Sequence, residues 1–155
     1  MSELNKAIVR RFVDEVVNRG DLGAVDELLA PNFLEHDALI PGTSAGPEKA
    51  ADSAPRPKGR ESAKRLYALL HAGFPDLRVT VEDCVAEGER VALRSVWRGT
   101  HRGEFLGLAP TGRAIALENL ELLRLQRGQI VEHWGLMDGS TLLTLLGVPQ
   151  KGEPA

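Results

Sequence analysis

The stretch Phe74-Pro75-Asp76-Leu77-Arg78-Val79-Thr80-Val81-Glu82-Asp83-Cys84-Val85 is where the chain changes its period. Before Pro75 apolar residues recur every three to four positions. From Leu77 onward Leu77, Val79, Val81, Asp83 and Val85 alternate with Arg78, Thr80, Glu82 and Cys84, as in a strand with one buried face. Downstream the alternation continues. Glu87-Gly88-Glu89 makes a turn, and Val91, Leu93, Ser95 and Trp97 then alternate with Ala92, Arg94 and Arg98. The glycine-rich segment Gly99 to Gly112 leads to a third strand, Arg113 to Leu125. Arg127-Gly128 turns the chain into a fourth, Gln129 to about Asp138, and a short apolar tail, Thr141 to Leu146, follows.

Upstream the period is helical. Leu4, Ile8, Phe12 and Val16, flanked by Val9, Val13 and Val17, mark one face of a helix that Asn18-Arg19-Gly20 stops. Asp21 caps a second helix carrying Val25, Leu28 and Leu29, which Pro31 ends. A third runs from about Gly59 to Gly73 with Ala63, Leu66, Leu69 and Leu70 on one face. Between them, residues 38–57 are rich in Pro, Gly, Ser and Ala without periodicity, which reads as a mobile loop, either a functional lid or a dispensable insertion. Helices first and adjacent strands after give an α+β domain over residues 1–150, with a disordered tail at 151–155. Three N-terminal helices pack on a curved, mainly antiparallel sheet of four strands or more. Long strands coil, and a coiled sheet under helices forms a cone whose hollow suits a small apolar ligand.

Composition narrows the partners. The 155 residues carry 19 basic and 22 acidic side chains, a net charge of −3 without a basic patch, so nucleic acid is not expected as a partner. Cys84 is the single cysteine, which excludes an intramolecular disulfide and points to a reducing, cytoplasmic setting. The amphipathic start reads as neither a signal peptide nor a membrane span.

Asp138 is the leading chemical candidate. At period two it shares a face with Ile130, Trp134 and Leu136, and a carboxyl among such neighbours loses hydration, raising its pKa toward the range of a general acid/base. The alternative is that Asp138, followed by Gly139-Ser140-Thr141, caps the last helical turn. His101, in the alternation of Trp97, and His36, beyond Phe33, are candidates to assist at the mouth of the hollow. His133 has the opposite parity and is assigned to the other face, at a subunit contact. Trp134, Trp97, Phe33, Leu136, Phe105, Leu122 and Tyr67 are the candidate ligand-lining residues, the two tryptophans forming a wall for a flat molecule. Glu118 and Glu132 would need Arg94 or Arg124 if they faced inward, and outer positions suit at least one of them. The four histidines and one cysteine show no metal-ligand spacing, no phosphate-binding loop opens a helix, and no nucleophile elbow is present. Neither metal nor cofactor is expected.

These segments also carry a resemblance. Asn18-Arg19-Gly20-Asp21-Leu22, Ala30-Pro31-Asn32-Phe33, Phe74-Pro75-Asp76-Leu77, Val81-Glu82-Asp83, Gly99-Thr100-His101-Arg102-Gly103-Glu104-Phe105, Pro110-Thr111-Gly112-Arg113 and Ile130 to Asp138 stand in the order seen in the SnoaL-like polyketide cyclases, or ester cyclases. That family lies within the nuclear transport factor 2-like superfamily. The resemblance implies the NTF2-like (cystatin-like) cone, a sheet-to-sheet homodimer, and cofactor-independent aldol closure of an aromatic polyketide ester by an aspartate to which Asp138 is similar. It places Leu122 and Arg124 where those cyclases carry polar partners. The reading is a cofactor-independent acid/base enzyme on an apolar carbonyl compound. The alternatives are a non-catalytic binding protein, a ketosteroid-isomerase-like isomerase, or an epoxide hydrolase using the same pocket. For the dimer, Val79, Val81, Leu117, Leu123, Val131 and His133 are expected to leave apolar strips on the outer face of the sheet.

Overall fold

In a computed structural model, residues 1–36 and 59–148 are described; the expected loop at 38–57 and the tail at 151–155 lie outside them. Helix α1 spans Ser2–Arg11 and continues without a break as a π-helical segment, Phe12–Asn18. The wider π turn, in which the Arg19 amide reaches the Asp14 carbonyl at 3.1 Å, buries Phe12, Val13, Val16 and Val17 together on one face. Asn18 ends it by pinning the sheet: its side-chain amide donates to the Val79 carbonyl at 3.0 Å, and the Val79 amide donates back to Oδ1 at 2.6 Å. Helix α2 is Gly23–Leu28 and α3 is Arg60–Gly73.

The sheet has five strands: β1 Leu29–Glu35, β2 Arg78–Glu87, β3 Arg90–Thr100, β4 Ala114–Gln126 and β5 Gln129–Met137. Their order is β1-β5-β4-β3-β2, antiparallel except for the parallel pair β1 and β5. The architecture is the expected α+β fold, with one strand added. Pro31 does not simply end the second helix; it stands within β1, tolerated there because β1 is an edge strand and a missing amide breaks no ladder on the open side. Arg127 and Gly128, at φ of 52° and 77°, form the tight β4–β5 turn, the conformation for which glycine is suited. Helix α4, Gly139–Leu145, closes the described chain.

Helices α1 to α3 cover one face of the sheet, and their apolar stripes share a single core with its inward side chains, among them Val91, Leu93, Trp97, Leu117, Leu123 and Leu125. The expected dimer strips are corrected here. Val79, Leu117, Leu123 and His133 are buried on this inward face, and Val131 is buried too, so they leave no outer surface. The apolar outer set is instead Val85, Leu120 and Leu136, 64%, 57% and 75% exposed, with Ala92, Leu122 and Trp134 beside them. No described helix is long and apolar enough to cross a membrane.

Candidate active site

The inward face of the sheet is apolar except for one row of polar residues that crosses four strands. Ser95 and Trp97 come from β3, Asn119 and Glu121 from β4, His133 from β5 and Glu35 from β1. Register brings them together: Ser95 lies opposite Asn119, Glu121 opposite Gly135, His133 opposite Leu123 and Glu35 beside His133. The parallel pairing of β1 is what delivers Glu35, across 98 positions of sequence, to the imidazole.

At the centre His133 is held between two carboxylates. Its Nδ1 meets Glu35 Oε1 at 2.6 Å and its Nε2 meets Glu121 Oε1 at 2.8 Å, with all three residues buried. A carboxylate only accepts, so both ring nitrogens must carry protons, which is the imidazolium form. Burial pulls the imidazole's pKa down, but the charge of Glu35, the hydrogen bonds to Glu121 and Glu35, and the charge of Glu121 outweigh it and hold the pKa well above the ordinary value. The row extends further. Ser95 Oγ donates to Glu121 Oε2 over a long 3.4 Å and accepts the Trp97 indole N–H at 3.1 Å. Trp97 thereby has the partner that a buried indole needs. Asn119 Oδ1 is buried without a partner among the described residues. Over Glu35 and His133 the packing leaves only a small gap without room for a water molecule, lined also by Phe12, Leu29, Phe33, Ala63, Tyr67, Leu123 and Ile130.

The predicted trio Asp138, His101 and His36 is not brought together, and the expected apolar setting of Asp138 is not the one found. Asp138 is exposed and serves as the N-cap of α4, its Oδ1 accepting the Thr141 amide at 3.0 Å and its Oδ2 the Thr141 hydroxyl at 2.5 Å. These bonds lower its pKa, the reverse of the expected rise. The helix-cap alternative is the one realised in the structure. His36 lies on the outer face, its ring stacked on Trp134 at 4.8 Å between centroids and bonded to Glu132 Oε2 at 3.1 Å. His101 is fully buried past the end of β3, with Nδ1 accepting the Thr111 amide and the ring against Phe74.

The expected lining residues also divide. Phe33 and Tyr67 line the inner gap and Trp97 faces the same side, whereas Trp134, Leu136 and Leu122 line an outer groove of about 530 Å³. Phe105 packs on Phe74 in the β3–β4 connection. Parity explains the reversal: both faces of β5 carry apolar residues, and His133 points inward, where Glu35 and Glu121 meet it. Glu118 and Glu132 are outer, and there they pair with Arg94 and Arg124, the partners expected only for an inward carboxylate. Among the described residues no group of three or more His, Cys, Asp or Glu side chains is placed to hold a metal ion.

Similarity to known proteins decides the family. The SnoaL-like polyketide cyclase family matches residues 7–146, nearly the whole described fold. The chain belongs to the SnoaL-like polyketide cyclases. It is 31% identical to the aklanonic acid methyl ester cyclase AcmA of Streptomyces galilaeus over 92% of this chain and 90% of that one. It is 29% identical to the nogalonic acid methyl ester cyclase of Streptomyces nogalater over 85% and 90% of the two chains. Among solved structures, wild-type IdmH of Streptomyces antibioticus is 38% identical, with a TM-score of 0.72 over 93% of this chain and 99% of that one.

For this SnoaL-like cyclase, sequence reasoning overlooked Glu35, Glu121, Asn119 and the inward placement of His133. One signal for Glu35 was present: Phe33 and Glu35 alternate within Leu29–Glu35, a short strand pattern that the helix reading of Pro31 concealed. Glu121 and Asn119 flank Leu120, next to the positions where polar partners were sought at Leu122 and Arg124. Those two point outward; their neighbours point in.

Proposed function

We propose that the cyclase does its proton chemistry on the inward polar row, with Glu121 as the acid/base and the His133 imidazolium, itself held by Glu35, as its charge partner. The substrate is an apolar ester with a carbon flanked by carbonyls, whose acidity lets one positioned carboxylate suffice. Glu121 takes the proton from that carbon. The enolate carbon attacks a second carbonyl of the same molecule, forming the ring C–C bond, and the resulting alkoxide receives a proton, leaving Glu121 as it began. The positive charge on His133, 2.8 Å from Glu121, favours the charged forms along this path in a site screened from water. The carrying observation is the pair of buried carboxylates joined through one imidazole on the apolar inward face. The gap over the trio is closed to water, so a ligand enters only when Phe12, Phe33 or Tyr67 shifts to open it.

The kinship with the two methyl ester cyclases supports the ester as substrate class. The apolar outer set around Leu120, Leu136 and Val85, rimmed by the Asp83–Arg94–Glu118 ion pairs, supports a sheet-to-sheet homodimer, and the single Cys84 fits a cytoplasmic setting.

The test is exchange of the activated proton of an aryl β-keto methyl ester in deuterated buffer, followed by proton NMR. Wild type accelerates exchange over buffer, and Glu121→Gln, which still accepts from His133, loses about 100-fold or more of that acceleration. Exchange at the wild-type rate in a folded Glu121→Gln variant overturns the assignment.

A further inference from the structure

We propose that Asn119 selects for a hydrogen-bond donor on the bound molecule, so that this site favours a ligand with a free phenolic or enolic hydroxyl over the corresponding ether. The inference rests on the reading of the inward row as the substrate site and adds to it a specificity that the acid/base residues do not supply.

The argument is an accounting of donors. Asn119 is 2% exposed, and its Oδ1 has no partner among the described residues. Each neighbour on the inward face is already committed or has nothing to give. Ser95, opposite on β3, directs its hydroxyl proton to Glu121 and uses its lone pair for the Trp97 indole. Met137, opposite on β5, carries no donor, and nor does Leu117, two residues before Asn119 on β4. Glu121, two residues after it, offers a carboxylate bound to His133 and Ser95.

A buried carbonyl left in this state destabilises the empty fold, since water is lost and nothing replaces it. A ligand hydroxyl or N–H at Oδ1 relieves that cost, and an ether oxygen there repels it instead. Sites with a buried acceptor reject analogues that lack the donor far more strongly than apolar walls reject a change of size. The placement also fits the reaction. Asn119 and Glu121 are successive residues on one face of β4, about 7 Å apart along the strand. A single substituted ring bridges that distance, so a hydroxyl held at Asn119 brings the reacting carbon of the same molecule toward Glu121.

The experiment is calorimetric titration of the whole protein with 2-naphthol and with 2-methoxynaphthalene, in wild type, Asn119→Leu and Asn119→Asp. Wild type is expected to bind the naphthol about tenfold or more tighter than the ether. In Asn119→Leu the ratio falls to near one. Asn119→Asp, which keeps an acceptor oxygen in place, retains the naphthol preference and serves if the leucine variant does not fold. A wild-type ratio near one, a preference for the ether, or a ratio unchanged in Asn119→Leu overturns the proposal. Equal binding of both probes in wild type removes the donor rule and leaves the site reading standing. Binding of neither removes both.

Discussion

Replacing His133 by leucine is the perturbation with the largest consequence for this fold. The substitution keeps an apolar side chain of moderate size on the inward face but removes both donors that serve Glu35 and Glu121, at 2.6 and 2.8 Å. Two buried carboxylates are then left facing one another across a side chain that offers no donor. Breaking a buried ion pair from one side costs about 3–5 kcal/mol, a large share of the roughly 5–15 kcal/mol that holds a domain together. For a chain of this length that corresponds to a fall of about 6–20 °C in melting temperature. The loss also has a pH signature. The folded pKa of His133 lies well above 6.5, its value when unfolded, so the trio contributes fully below about pH 6.5 and fades as pH rises through the folded value. Wild-type stability, measured by urea unfolding from pH 5.5 to 9, therefore falls as pH rises above about 6.5. A gap between wild type and His133→Leu below about 1 kcal/mol at pH 6, or wild-type stability that rises from pH 6.5 to 9, refutes the reasoning.

Three further outcomes follow from other parts of the molecule. Gly103→Ala drives a Cβ into the backbone carbonyl of Ala72, where the amides of Arg102 and Gly103 both bond to the Gly73 carbonyl, so thermal unfolding shifts sharply downward; an unchanged transition contradicts the packing of the β3–β4 connection on α3. Leu120→Arg combined with Leu136→Arg places charge on the apolar outer face and turns the proposed dimer into a monomer in sedimentation equilibrium without loss of melting cooperativity; a monomeric wild type or an unaltered dimer contradicts an interface on this face. Asp138→Asn, which can still cap α4, leaves proton exchange from the β-keto ester at the wild-type rate, and a large loss would return the acid/base role to Asp138.

The layout of the fold was legible because period carries it. The switch at Pro75, the turns at Gly88 and Gly128, and the helical stripe from Leu4 to Val17 each report a local geometry that the tertiary structure kept. The exception, β1, came from a residue with two meanings: Pro31 ends helices, and it also sits without penalty on an edge strand. The site was less legible, since alternation says that two faces exist and leaves open which one is covered. Around Trp134 and Leu136 the outer face is as apolar as a core, so hydrophobicity alone pointed the wrong way. The polar residues inside are stable there only because they meet one another across four strands, and a single sequence does not display such pairings. Glu35 and His133, 98 positions apart, are the plainest instance.

Nitrogen-15 NMR of the histidine rings tests the buried trio directly. The account predicts that His133 shows both ring nitrogens protonated at pH 7 and stays so well above the range where free imidazole titrates, and that Glu35→Gln or Glu121→Gln lowers its transition. A His133 ring that is neutral at pH 7, or that titrates near 6.5 with the carboxylates intact, contradicts it.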